Sequence, residues 1–138
     1  MGTAARKAVH DDIEGPEYAE RSFLARAALP IVLETLRTKH PGGHRWGAGI
    51  ERQLSVGSQL RRFDIAVLRD GALFGVYDLL PAGRFGMGEL RQRLSELRAA
   101  TSTMTPAGLA SGLVLRSGQA DPATVKKING GVPRLITF

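Results

Sequence analysis

Apolar positions recur along this chain with two different periods, and each change of period marks a new element. In residues 16–43, Glu20, Leu24, Ala27, Ile31 and Glu34 share one stripe at helical spacing. Pro16 suits the first position of that helix, and Pro30 is expected to kink it or to start a second one. The sequence His-Pro-Gly-Gly at 40–43 ends it. Residues 45–57 change to period two: Trp46, Ala48, Ile50, Leu54 and Val56 are predicted on one face, and Glu51, Gln53 and Ser55 on the other. Residues 63–80 then read as two strands joined at Asp70-Gly71, apolar on both faces, as in the middle of a sheet.

Beyond a glycine-rich loop at 81–88, Leu90, Leu94 and Leu97 give residues 89–100 a buried helical stripe, while Arg91 and Arg98 share a second face. A strand is predicted within 109–118. A short helix follows, with Asp121 as N-cap, Pro122 as first residue and Gly130 or Gly131 as stop. Residues 132–138 form a last strand. The order is α-β-β-β-α-β-α-β. A helix between two strands of one sheet favours a parallel crossover. The fold class expected is therefore α/β, a mixed β-sheet flanked by helices, with an antiparallel meander on one side and a parallel pair on the other. The domain is expected to occupy 16–138, after a flexible polar lead-in at 1–15.

A chain of 138 residues, 43% hydrophobic, suits one domain with one core. The formal net charge is +6, and 15 of the 19 basic residues are arginine. Guanidinium forks onto phosphate and carboxylate, so nucleic acid or an acidic partner is the expected ligand. The absence of cysteine removes disulfides, thiolate zinc sites and thiol catalysis together. No apolar run approaches membrane-span length, and the N-terminus lacks the apolar core of a signal peptide.

The central hairpin carries a carboxylate on each strand, Asp64 and Asp78. Register decides whether they can act together, because a one-residue slip moves a side chain to the other face. A two-residue turn at Asp70-Gly71 places Asp64 opposite Tyr77 and sends Asp78 to the other side. A three-residue turn with Gly71 in a bulge places Asp78 opposite Arg62, on the face of Asp64. Both turns suit the composition. In either register a buried carboxylate needs a partner: a metal, Arg61 or Arg62, or backbone N–H groups.

The order helix, three strands, helix, strand, with Asp64 opening the second strand in "RRFDIAVLRDG" and Asp78 late in the third in "ALFGVYDLL", resembles the core of the PD-(D/E)XK nucleases. This restriction-endonuclease-like superfamily includes toxin domains of bacterial polymorphic toxins. The resemblance implies a metal-dependent nuclease acting on DNA or tRNA, with Asp64 and Asp78 holding Mg²⁺ and Glu20 or Glu34 joining from the first helix. It also implies a cytoplasmic site of action, delivery within a larger secreted protein, and a cognate inhibitor or immunity protein as partner. The sequence departs from the family signature at one point, since no lysine occurs between Lys39 and Lys126.

Arg62, with Arg84, is then the candidate for stabilising negative charge. Arginine binds phosphate but is a poor proton carrier. The alternative expectation is a catalytically degenerate nuclease-like module that binds nucleic acid or a protein. Arg45, Arg52, Arg61, Arg84, Arg91 and Arg98 are the candidate phosphate contacts in either case. His10, His40 and His44 show no metal-ligand spacing.

Overall fold

A computed structural model of the protein describes the backbone of residues 2–138 and the side chains of residues 21–138. The element order is α1 (Gly2–Lys39), β1 (Trp46–Val56), β2 (Gln59–Arg69), β3 (Ala72–Leu79), α2 (Met87–Thr101), β4 (Ala110–Leu115), α3 (Pro122–Asn129) and β5 (Leu135–Thr137). The five strands form one mixed sheet in chain order, with β1, β2 and β3 antiparallel and β3, β4 and β5 parallel. The architecture is the expected α/β one. The first 15 residues and Glu20 lie outside the described side chains.

Two apolar clusters cover the two faces of the sheet. On one face, Ala25, Ala28, Val32 and Leu36 of α1 pack on Ile65, Val67, Tyr77, Leu79, Val114 and Ile136. On the other, Leu90 and Leu97 of α2 and Ile128 of α3 pack on Phe63, Ala66, Val76, Leu113 and Leu115. Burying each large apolar side chain contributes about 1.5–3 kcal/mol, so these contacts dominate the stability of the fold.

The buried stripe of α1 differs from the predicted one. Ala27, Ile31 and Glu34 are exposed, and the core face runs through Ala25, Ala28, Val32 and Leu36 instead. Anchoring the stripe on Glu20 and Glu34 favoured the flank of Ala27 and Ile31, which faces away from the sheet. Pro30 is exposed and does not divide the helix.

The alternation of β1 also breaks. Trp46, Ala48 and Ile50 pack with the α1 cluster, whereas Leu54 and Val56 pack with the α2 cluster. Between them stands Glu51 with φ of 53°, a left-handed conformation rare for a non-glycine residue. The apolar side of the strand changes at that residue. The short elements follow local chemistry closely. Asp121 accepts from Ala123 N–H at 3.0 Å to cap α3, and Gly130 closes it at φ 56°.

Candidate functional site

The β2–β3 hairpin solves its register in a way that neither predicted turn describes. The turn is a two-residue one: Arg69 pairs with Ala72, and Asp70 and Gly71 have φ of 51° and 84°. Two positive φ values in succession suit the right-handed twist of a hairpin. A bulge then intervenes. Leu68 pairs with Leu73 but Val67 pairs with Gly75, so Phe74 is the extra residue. Beyond it the pairing continues to Ile65 with Tyr77, and one step further stand Asp64 and Asp78, side by side.

Each aspartate bonds the backbone of the opposite strand. Asp78 Oδ1 accepts from Asp64 N–H at 3.1 Å, and Asp64 Oδ2 accepts from Leu79 N–H at 2.8 Å. Each also holds a guanidinium. Arg21 of α1 donates to both oxygens of Asp64, at 3.3 Å through Nε and 2.5 Å through Nη2. Arg61 of β2 donates through Nη2 to Asp78 Oδ2 at 3.0 Å, and its guanidinium also lies 4.4 Å from the centroid of the Phe63 ring. Next to Arg21, Ser22 donates to Glu51 at 2.6 Å, tying α1 to the irregular residue of β1. Burial pushes the Asp78 carboxyl above its ordinary pKa, assisted by the neighbouring Asp64 charge and opposed by the Asp64 N–H and by Arg61.

Asp78 borders a cavity of about 430 Å³, lined also by Arg21, Arg61, Arg93 and Glu96 among others. Aspartate oxygens are the hard ligands Mg²⁺ requires, commonly with several waters retained. The surrounding charge is balanced rather than acidic, however. Both carboxylates are already held by a guanidinium, Arg93 and Glu96 add one charge of each sign to the lining, and among the described residues no group of three or more acidic or histidine side chains converges. A dication entering here meets arginines at close range in a half-buried setting. As arranged, both aspartates are engaged by guanidinium groups.

The other named residues are dispersed. Glu34 is exposed and pairs with Arg37 at 3.0 Å, away from the aspartates. Arg62 is exposed and lines neither this cavity nor the groove described below. Arg45 contributes its backbone N–H to Asp70 at 2.9 Å, in the hairpin turn. Arg52 lies over Gly49, and Arg84 is exposed in the loop before α2. His44 reaches Asp70 at 2.8 Å, while His40 and His44 both pack near Trp46.

Arg91 and Arg98 do meet. With Lys127 and Arg134 they line a second and larger groove, of about 690 Å³, floored in part by Tyr77. The residues that sequence reasoning missed are Arg21 and Arg93. Arg93 is two positions from Arg91, which turns it to the other flank of α2, so helical geometry could have separated them. Nothing local marks Arg21, because its partner lies 43 residues away. No protein-family model matches the chain, and no curated protein matches it in sequence.

Proposed function

We propose that this chain is a nucleic-acid-binding module on a restriction-endonuclease-like scaffold, in which the aspartate pair serves as a structural clasp. The observation that carries the reading is the closure of both carboxylates by Arg21 and Arg61. Four charges cancel within the cluster, and each acid also satisfies a backbone N–H of the neighbouring strand. The clasp ties α1, β2 and β3 together at the open end of the hairpin. The order of elements and the position of the two acids support the scaffold. The charge of +6, mostly arginine, supports the ligand.

The test joins binding to cleavage. The protein is expected to bind DNA or RNA with an affinity that falls steeply with salt, because phosphate contacts release counterions. It is also expected to leave plasmid DNA and tRNA intact in Mg²⁺ or Mn²⁺. Cleavage by the wild type that is lost in Asp64→Ala would replace this reading with a metal-dependent nuclease. Binding indifferent to ionic strength would point instead to a protein partner.

A further inference from the structure

The larger groove has a composition that the clasp does not explain. Arg91, Arg98, Lys127 and Arg134 line it, and no acidic residue does so among the described residues. Arg91, Arg98 and Lys127 form no ion pair with any described residue, so their charges are left to solvent. Arg134 is partly spent, donating to the Ile128 carbonyl at 3.2 Å. The concentration of uncompensated positive charge in one concavity sets up an attractive potential for a polyanion.

A second observation comes from the floor. Tyr77 is 1% exposed and lines the groove. A phenol at a cavity wall can offer its hydroxyl to an occupant of the cavity. Burial also pushes its pKa up, which keeps the hydroxyl a donor. Apolar Leu36, Leu94 and Leu109 share the lining with polar Ser95, Ser111 and Asn129. The groove thus combines four cationic side chains with a lining of mixed apolar and neutral polar residues.

We infer that this groove receives single-stranded nucleic acid, its phosphates on Arg91, Arg98 and Lys127 and a nucleobase lowered toward Tyr77. The inference rests on the nucleic-acid reading above and specifies its ligand and its place. Size separates the classes. The groove has the volume of a small-ligand pocket, about 300–1,000 Å³, and a duplex is a rod too wide to reach a floor residue. A duplex could touch only the rim. An unpaired nucleotide offers charge and an apolar base together, the combination that single-strand sites use.

Fluorescence anisotropy with labelled oligothymidylate and oligouridylate, against a duplex of equal length, tests the inference. The single strands are expected to bind at least about tenfold more tightly than the duplex. The double reversal Arg91→Glu with Arg98→Glu, at two exposed helical positions, should weaken binding by about tenfold or more. Tyr77→Phe, which removes only the hydroxyl, should weaken it by about two- to tenfold. The control reversal Arg26→Glu with Arg116→Glu, at two exposed positions outside the groove, should stay within about twofold after allowance for net charge. If both reversals weaken binding equally, the groove is the wrong place while nucleic-acid binding stands. If the duplex binds as well as the single strand, the ligand class is wrong. If no oligonucleotide binds, the inference and the reading beneath it fail together.

Discussion

Asp64 is 7% exposed and shows what a buried charge requires. Its oxygens accept three hydrogen bonds, two from Arg21 and one from Leu79 N–H. Removing the carboxylate strands both donors. Asp64→Ala is therefore expected to cost about 1–3 kcal/mol, toward the low end of buried-pair values because Arg21 is partly exposed to water. Urea denaturation measures this, and a loss below about 0.5 kcal/mol would remove the clasp as a stabilising device.

Asp78 gives a pH prediction with a definite sign. Its folded-state pKa is raised above the ordinary value of 3.8, chiefly by burial. The protonated form is thus favoured by the fold relative to the unfolded chain. The associated stability is fully present below the unfolded pKa and is lost as pH rises through the folded one. The stability of the wild type minus that of Asp78→Asn should fall as pH rises above about 4. A difference that grew with pH would show that Arg61 outweighs burial.

At the scale of elements, the parallel half of the sheet depends on two glycines at close approaches. A Cβ on Gly112 would stand 2.5 Å from the Arg134 carbonyl oxygen, and one on Gly75 would stand 2.8 Å from that of Ala110. The obstacle in each case is backbone, which cannot rotate aside. Gly112→Ala should separate β4 from β5 and cost about 1–3 kcal/mol, the usual range for overpacking. A thermal melt would register this as a drop of several degrees, and an unchanged midpoint would mean that the strands part without cost.

The elements themselves were largely legible. Period two, period 3.6 and the caps at Asp121 and Gly130 are local signals, and local hydrogen bonding enforces them. The bulge at Phe74 was not legible. No residue type requires it, and it exists because both Leu68–Leu73 and Val67–Gly75 pairings are kept while β3 fits against β4. That one extra residue places the two aspartates side by side. The stripe of α1 was misread for a related reason, since only contact with the sheet chooses between neighbouring faces of a helix with apolar residues on several sides.

At the scale of the whole molecule, α2 divides two environments. Its flank bearing Arg91 and Arg98 faces the acid-free groove, and the flank bearing Arg93 and Glu96 faces the aspartate cavity. If phosphates occupy only the first, raising salt should weaken oligonucleotide binding equally in the wild type and in Arg93→Ala. The Arg91 and Arg98 reversal should flatten the salt slope, by roughly 0.7 per lost single-strand contact. A flattened slope in Arg93→Ala would move phosphate into the aspartate cavity.

The amino-acid sequence by itself determined the number, kind and order of elements, the sign of the charge and the two acids of the central hairpin. Each follows from interactions between residues close along the chain, or from composition alone. Only the tertiary structure decided that Arg21, 43 positions before Asp64, would close on it. It likewise gathered Arg91 and Arg98 of α2, Lys127 of α3 and Arg134 before β5 around Tyr77. Such meetings depend on how helices seat on a sheet. That seating is set by burial summed over many side chains, which no local stretch of sequence contains.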